Sequence, residues 1–385
     1  MKYSTTTISI TPTFKIKQAG FIQQTEEISR VHDDLNARIV SFQQSDLTVY
    51  LISCDNLGFP ITVQIEIKQR CETALNKKCE VILSCTHTHF GADPKNENYQ
   101  NFCIDKITEA CVNLVYTDGD LEYSYLYESY DEVGLSRISN HKANVLLQIL
   151  SIFDNKKRVI NFITYNCHPT IMNGDTPFFS AEYPGYIIKK LTTSNPNEFF
   201  TFMQGADGDI STRFTRKSQD YDGVIHLGNL LINKIHNSLC NEYTLLPFTS
   251  FCFSSICVPL THSLAPLDLS VMPSNLSPRE LETIEVGIKV RNHLLENLDT
   301  LDKEVIVSCL KIGNIHFIFE PNELFSFYIN AIDLENSILV CYSNGYSPYV
   351  TGFDDNFITY EKFTDTLSLE SKYNLYNTVH ALSKS

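Results

Sequence analysis

The sequence predicts an α/β protein with a mixed β-sheet core flanked by helices and a ligand site at the carboxyl ends of strands. Short apolar runs with a period of two, bounded by turn residues, recur along the chain. Between them lie helix-length segments with apolar residues at three- and four-residue spacing. Alternating strands and helices are typical of domains whose loops present functional side chains at strand ends. We therefore expect the functional residues at the carboxyl ends of strands.

The apolar runs place the individual elements. Strands are predicted at residues 37–42, 47–54, 80–85, 159–165 and 199–203. Helices are predicted at 61–74, 102–115, 186–191 and 224–239. A loop and a capped, exposed helix beginning near Ser277 occupy the segment 262–302. After it come strands at 305–312 and 315–319, a short helix at 322–329 and a strand at 338–341.

The length of 385 residues is consistent with one large domain. We predict a single catalytic domain over residues 1–385, and the alternative is two interlocked lobes joined by the loop and helix of 262–302. No internal repeat is visible in the sequence. No stretch reaches the roughly 18 consecutive apolar residues of a membrane-spanning helix.

Charge and cysteine content narrow the class of protein. The formal net charge is −15, without a cluster of Lys and Arg, so nucleic acid and anionic membranes are not expected as partners. The N-terminus lacks the features of a secretory signal, and we expect a cytoplasmic protein. Twelve cysteines are scattered through apolar runs without a C-x-x-C pair, which predicts free, buried thiols, for example at Cys54, Cys85, Cys309 and Cys341.

Two histidines follow the predicted strand at 80–85. His87 and His89 stand two residues apart, so in extended geometry both imidazoles project from the same face. They can then converge on one metal ion or one substrate, whereas a lone histidine is more often structural. We interpret the nearby Asp93 as a turn residue.

A third histidine has the same placement. His168 follows the predicted strand at 159–165 and precedes a proline that ends the strand ladder. Two strand-end histidine sites predict a shared zinc site.

A glycine-punctuated turn follows the strand at 199–203. It carries Asp207, Asp209 and Ser211, and its small residues let the backbone approach a ligand closely. Its spacing matches no nucleotide-binding motif, so we infer no nucleotide. Ser211 is a candidate hydrogen-bond donor to a reacting group.

These segments, in this order, resemble the catalytic domain of neutral/alkaline, non-lysosomal ceramidases and their short bacterial relatives. The family's T-H-T-H pattern resembles residues 86–89, its mid-chain histidine motif resembles C-H-P-T at 167–170, and its G-D-V/I-S turn resembles residues 208–211. S-A-E-Y-P-G-Y at 180–186 is similar to a further family stretch, with Glu182 in place of the usual aspartate. P-N-E at 321–323 and N-G-Y-S-P-Y-V at 344–350 resemble two later motifs.

The resemblance implies a set of site residues. One zinc ion per chain is expected, held by His87, His168, Glu323 and Tyr346, with Tyr349 as the fallback for the tyrosine ligand. The resemblance also implies that His89 hydrogen-bonds the substrate or transition state and that Arg137 is a site residue. In the expected mechanism His89, Ser211 or Tyr349 stabilises the developing oxyanion, and the alternative role of Ser211, as the nucleophile, is left open.

The activity implied by the resemblance is zinc-dependent hydrolysis of an amide (N-acyl) bond by a metal-activated water. A small N-acyl amide or lipid-like molecule is the expected substrate. Because the chain stops near residue 385, the family's immunoglobulin-like C-terminal domain is expected to be absent.

Two alternatives remain at this point. A two-metal hydrolase of the phosphoesterase type would also use strand-end histidines, with Asp55, Asp93 and Asp209 as bridging oxygens. A non-catalytic binding protein with a structural metal is the other. Metal stoichiometry distinguishes one-metal from two-metal sites, and the sequence does not predict the oligomeric state.

Overall fold

Three mixed β-sheets, with helices on their outer faces, make up the protein. The computed structural model describes residues 1–21, 24–138, 142–241, 243–263, 278–353 and 359–385. The three largest sheets in this part of the chain have five, five and four strands. The predicted α/β class, with mixed sheets flanked by helices, is confirmed.

The first sheet comes from the N-terminal part of the chain. Its spatial order is β6 (Glu80–Cys85), β5 (Leu47–Cys54), β4 (Asn36–Gln44), β1 (Lys2–Ser9) and β8 (Thr117–Asp118). β4 and β5 form an antiparallel hairpin, and the chain then crosses through α1 (Ile61–Leu75) to β6, which is parallel to β5. α2 (Glu97–Val112) packs against α1.

The second sheet repeats this plan. Its order is β13 (Phe199–Gln204), β12 (Lys157–Tyr165), β11 (Leu146–Asp154), β9 (Leu121–Ser129) and β15 (Leu246–Pro247). The β11–β12 hairpin is followed by α3 (Glu182–Ser194) and by β13, which is parallel to β12. α4 (Tyr221–Cys240) packs against α3.

The third sheet repeats it again with a shorter connection. Its order is β16 (Phe251–Pro259), β17 (Glu304–Ile312), β18 (Ile315–Phe319) and β20 (Ser337–Val340). After the β17–β18 hairpin, the 3-10 helix Ser326–Ala331 leads to β20, which is parallel to β18. α7 (Leu369–Leu382) packs against this sheet.

Short elements complete the described chain. β2 (Ile16–Ala19) pairs with β3 (Glu27–Ile28) and β7 (Gly91–Ala92), β10 (Leu135–Ser136) pairs with β14 (Ile210–Ser211), and β19 (Asn322–Leu324) pairs with β21 (Ser347–Val350). The remaining helices are α5 (Pro278–Glu296), α6 (Tyr360–Thr364) and the 3-10 helix Leu298–Thr300.

The three sheets share one central core. Successive strand side chains point to opposite faces, so along β4 Ile39 joins the cluster that contains residues of α1 and Val40 joins the central one. The central cluster takes apolar side chains from all three sheets, including Val40, Leu51, Ile152, Phe162, Phe317 and Val340. Each sheet thus lies between a shared core and its own helices.

The carboxyl ends of the three parallel edge strands meet. The backbone N–H of Cys85, at the end of β6, donates to the carbonyl of Tyr342 over 3.0 Å, and the N–H of Cys341 donates to the carbonyl of Gln204 over 2.9 Å. These bonds join the ends of β6, β13 and β20. The segments that follow β6, β13 and β20 therefore begin close together in space.

Most predicted elements are confirmed, within a few residues at their ends. The exception is the helix predicted at 322–329, which is wrong at its start: residues 322–324 form β19, and a 3-10 helix begins only at Ser326. Asn322 and Glu323 pair with β21, and this tertiary pairing overrides the local helical pattern. Ser277 lies outside the described residues, and α5 begins at Pro278.

The cysteines have the predicted state. All twelve are free, and nine of them are buried, Cys54, Cys85, Cys309 and Cys341 included. Among the described residues, no helix combines the length and apolar character needed to cross a membrane.

The central core gives a stability prediction. Phe162 is fully buried and its ring lies 5.4 Å from that of Phe317, centroid to centroid. Phe162→Ala is expected to lower the free energy of unfolding by about 3–5 kcal/mol, because it removes apolar contacts and leaves a cavity between sheets. Urea unfolding measures the change. Phe214→Ala, at a side chain 56% exposed, is the control, and equal losses for both variants would contradict the shared core.

Candidate metal centre

Three histidines and a glutamate converge where the sheets meet. His87 and His89 follow β6, His168 follows β12, and Glu323 lies in β19, just after β18. All four side chains are buried. In the described part of the chain, the group of three or more potential ligands is His87, His89 and His168, whose ligand atoms lie within 4.8 Å of one another.

The distances define a compact cluster. Nε2 of His87 lies 3.2 Å from Nε2 of His168 and 3.3 Å from Nε2 of His89. Oε2 of Glu323 lies 3.3 Å from Nε2 of His168 and 3.5 Å from Nε2 of His87. Three imidazole nitrogens and one carboxylate oxygen thus surround one point.

His87 is held from two sides. Its Nδ1 donates to the carbonyl of Leu57 over 2.8 Å, and its ring stacks on that of Tyr342 with centroids 3.9 Å apart. The loop that carries Leu57 starts at Asp55, which accepts two hydrogen bonds from the buried Arg38. The backbone of His87 has a φ of 63°, a left-handed conformation that L-residues adopt at a cost.

His168 is held by Asp207. Its Nδ1 lies 3.0 Å from the Asp207 carboxylate and 3.0 Å from the Asp207 carbonyl. The same carboxylate accepts hydrogen bonds from the Tyr342 hydroxyl and the Gln204 amide. Tyr342 therefore supports both histidines: it stacks on His87, and it hydrogen-bonds to the carboxylate of Asp207 that contacts His168. Carboxylate partners of this kind orient metal-binding imidazoles in many proteins.

Charge in the cluster shifts the pKa values strongly. Burial and Arg137 lower the pKa of His168, but the carboxylates of Asp207 and Glu323 outweigh them and raise it to about 9. Burial would raise the pKa of Glu323, yet His87 and His168 hold it well below its usual range. At Asp207, burial also acts to raise the pKa, but the neighbouring His168 outweighs it and lowers the pKa. The two carboxylates thus favour positive charge at this point.

The tautomers of His87 and His168 indicate which kind of cation the cluster can hold. Nδ1 of His87 and of His168 face oxygen acceptors and hold a proton, so each ring presents a bare Nε2 lone pair in its neutral form, the form that binds a metal. Two lone pairs 3.2 Å apart cannot hydrogen-bond to each other. Oε2 of Glu323 is also buried without a hydrogen-bond partner. A metal cation satisfies all three atoms, so the donor set fits a metal such as zinc.

His89 differs from the other two histidines. Burial, together with His87 and His168, holds its pKa well below the usual range, so the ring is neutral. Its Nδ1 has no hydrogen-bond partner. The ring packs against Gly20, whose φ is 134° and where a Cβ would come within 2.6 Å of the imidazole. Gly20 is thus required for the position of His89.

The two candidate tyrosines face different atoms. The Tyr349 hydroxyl lies 3.2 Å from Nε2 of His168. The Tyr346 hydroxyl donates to Oε1 of Glu323 over 2.5 Å. Tyr349 therefore reaches the point of convergence, and Tyr346 holds the far oxygen of the glutamate.

Arg137 lies beside the cluster. Its guanidinium is buried over the Tyr349 ring at 6.0 Å and donates to Glu361 over 2.7 Å. Burial lowers its pKa, but Tyr349, Glu361, Asp207 and Glu323 raise it above the usual value, so it stays charged. Nε and Nη2 have no hydrogen-bond partner. Two donor nitrogens of this buried cation are therefore left without a hydrogen-bond acceptor.

Ser211 adjoins His168 through the backbone. The two residues form a parallel bridge, and the N–H of His168 donates to the carbonyl of Ile210. The Ser211 hydroxyl accepts from the N–H of Arg213 over 3.3 Å. The described contacts give this hydroxyl no histidine partner.

The aspartates proposed as bridges have other partners. Asp55 pairs with Arg38, both oxygens of Asp209 accept from Ser326, and Asp93 accepts from the N–H of Lys95 in a turn, as predicted. None belongs to the ligand group found in the described chain. The two-metal alternative thus lacks its bridging carboxylates there.

Glu182, which stands where the resemblance expects aspartate, supports the segment after His168. Its buried carboxylate accepts from the backbone N–H groups of Ile171, Met172 and Tyr183. Burial raises its pKa to about 7 despite these bonds. The longer side chain thus orders the loop between His168 and α3.

Sequence reasoning missed two residues of the cluster. Asp207 lies in the glycine-punctuated turn but was assigned no role, and Tyr342 was not singled out. Both follow strand ends, β13 and β20, so the rule that found the histidines also applies to them. Their partners come from distant parts of the chain, which local spacing does not reveal.

The fold matches solved ceramidase structures. Neutral ceramidase from Pseudomonas aeruginosa superimposes with a TM-score of 0.76 at 14% identity, covering 100% of this chain and 74% of that one. A ceramidase complexed with C2 gives a TM-score of 0.76 at 14% identity, with 100% and 75% covered. No protein-family model and no curated protein matches the sequence. The predicted resemblance to neutral ceramidases is confirmed at the level of the fold.

Loss of the Asp207 carboxylate is expected to weaken metal binding. Asp207→Asn keeps the size of the side chain but removes the charge that orients His168, and zinc affinity should fall about 10- to 100-fold. Competition against a chromophoric chelator measures it. Asp175→Asn, in an exposed loop, is the control. Unchanged affinity in Asp207→Asn would contradict the orienting role.

Metal affinity should depend on pH with a defined sign. Because the pKa of His168 is raised to about 9 in the metal-free protein, a metal must displace its proton at lower pH. Apparent zinc affinity is therefore expected to rise about tenfold per pH unit up to about pH 9 and then level off. The same competition assay at several pH values checks this. A flat profile below pH 9 would contradict it.

Proposed function

We propose that this protein is a zinc-dependent hydrolase that cleaves an amide (N-acyl) bond with a metal-activated water. The observation that carries the proposal is the buried convergence of imidazole Nε2 atoms with the Glu323 carboxylate. It lies at strand carboxyl ends in a ceramidase-like fold. The donor set and the fold together favour a catalytic metal over a closed structural site.

The ligands we propose are His87, His168, Glu323 and a tyrosine. Tyr349 is the better candidate for the tyrosine, since its hydroxyl lies against Nε2 of His168. Tyr346, the ligand expected from the resemblance, then orients Glu323 through its short hydrogen bond. Zinc bound there supplies Lewis-acid chemistry and activation of water near neutral pH.

Three further groups act on the substrate. We assign to Arg137 the donation of a hydrogen bond to the carbonyl oxygen as negative charge develops on it, a role supported by its two unpaired donor nitrogens and its retained charge. His89 is neutral and can take a proton and pass it to the leaving nitrogen. Ser211 is assigned to hydrogen bonding of the substrate, since the described contacts provide no base that would make it a nucleophile.

The fold supports the substrate class that we propose. Ceramidases are among the solved structures that share it, one of them complexed with C2. We therefore propose a small N-acyl amide or lipid-like amide, with release of a carboxylate and an amine.

Removal of a proposed ligand should abolish metal content and amide hydrolysis together. We expect about one zinc per chain in the wild type and loss of zinc and activity in His87→Ala. Tyr349→Phe should lower both more than Tyr346→Phe does, because only the Tyr349 hydroxyl reaches His168. Elemental analysis and amine release from a panel of N-acyl compounds are the measurements.

His236→Ala, a histidine on α4 away from the cluster, is the matched control. Zinc retained in His87→Ala would contradict the ligand assignment. Zinc present without hydrolysis of any amide in the panel would favour the non-catalytic binding protein. Two ions per chain would restore the two-metal alternative.

A further inference from the structure

A surface groove lies between β1 and α2, at the edge of the first sheet. Its volume is about 500 Å³, and its lining residues include Thr6, Ile8, Lys106, Glu109, Leu114 and Val115. Val115 is 86% exposed, more than any other large apolar residue in the described chain. The groove is therefore open to solvent and partly apolar.

The outer edge of β1 is unpaired over most of its length. β1 pairs with β4 along all of its 8 residues, but with β8 only at Lys2 and Tyr3. From Ser4 to Ser9, the described chain places no strand on that side. Such an edge presents unpaired backbone groups to which another extended chain can hydrogen-bond.

A backbone hydrogen bond shows which residues of β1 face this edge. Gly119, just after β8, donates its N–H to the carbonyl of Met1 over 2.8 Å. Backbone groups alternate between the two sides of a strand, so the odd-numbered residues that follow Met1 face the same side. Thr5, Thr7 and Ser9 therefore present their N–H and C=O groups to the open edge.

α2 runs antiparallel to β1 along the groove. Near the start of the helix, the Tyr99 hydroxyl donates to the carbonyl of Ile10 over 3.0 Å. Just after its end, the carbonyl of Val115 accepts from the Ser4 hydroxyl over 2.8 Å. The middle of α2 therefore lies beside the middle of β1, near Thr7.

The charges at the middle of α2 are self-complementary. Lys106 and Glu109 are exposed, line the groove and form no ion pair with other residues of the described chain. They stand three residues apart on one face of the helix. A two-fold axis beside them brings Lys106 of each copy to Glu109 of the other. This favours a second copy over an unrelated extended segment, which need not carry both charges.

We propose that two copies of this chain form a dimer by antiparallel pairing of their β1 strands, centred on Thr7. Thr5 of each copy then lies opposite Ser9 of the other, and the outward N–H and C=O groups of both strands form one ladder. The first sheets of the two copies become continuous, and the second copy covers the groove. Because both copies use the same surface, the assembly closes at two. The dimer does not depend on the function proposed above.

Sedimentation of the full chain over a range of concentrations tests the proposal. We expect a monomer–dimer equilibrium for the wild type. Thr7→Pro should abolish the dimer by removing the central N–H of the ladder, and the fold should be retained because that N–H faces outward. Circular dichroism checks the fold. Thr7→Ala, which keeps the N–H, is the matched control and should dimerise as the wild type does.

Charge reversal tests the same interface without changing the strand. Lys106→Glu and Glu109→Lys should each raise the dimer dissociation constant about tenfold, because each replaces two exposed ion pairs by two like-charge contacts. The double variant should restore the wild-type value. Lys95→Glu, at an exposed residue outside the groove, is the control for the change in net charge.

A wild type that stays monomeric at every concentration would overturn the proposal, and so would a dimer that Thr7→Pro leaves unchanged. A double variant that dimerises as weakly as the single ones would contradict the pairing of Lys106 with Glu109. If a monomeric wild type binds a synthetic peptide of residues 2–10, the edge accepts an extended segment of another protein and the second copy is rejected.

Discussion

The candidate metal centre depends on the backbone hydrogen bonds that join the ends of β6, β13 and β20. Cys85 bonds to Tyr342, and Cys341 bonds to Gln204, so three strands from three sheets end against one another. Within three residues of these ends come His87, Asp207 and Tyr342. A backbone hydrogen bond fixes its two segments to within a few tenths of an ångström. The spacing of the site is thus set by the main chain, and side chains only complete it.

That arrangement requires unusual backbone conformations. His87, Tyr342 and Asn344 have φ values of 63°, 53° and 59°. Each such residue costs about 1–2 kcal/mol, which the surrounding contacts must offset. The contacts that offset this cost are the stacking of His87 on Tyr342 and the hydrogen bonds of Asn344 to Ser308 and Phe319. The left-handed turn at His87 directs its ring toward His168 instead of along the strand.

The sequence predicted the strands that carry the histidines because buried strands are continuous apolar runs, and it predicted the histidines because they stand at the ends of those runs. It did not reveal that three sheets repeat one plan, since the repeat is one of topology and not of residues. It also misassigned 322–324, because that strand exists only through pairing with β21. For the same reason the sequence did not distinguish the roles of Tyr346 and Tyr349. The two residues are close in sequence, but the atoms that their hydroxyls contact belong to distant parts of the chain.

Because this cluster is almost fully buried, its charges must be compensated within it. Two carboxylates, Asp207 and Glu323, lie within 3.5 Å of imidazole nitrogens in a region without water-exposed area, where an uncompensated anion would be very unfavourable. Arg137 is already paired with Glu361, so it compensates only part of that charge. A divalent cation among the Nε2 atoms would compensate the rest without requiring two adjacent imidazoles to share a proton. The carboxylates that orient the histidines therefore also favour a cation at this point, and the low dielectric that makes them costly strengthens every electrostatic interaction made there.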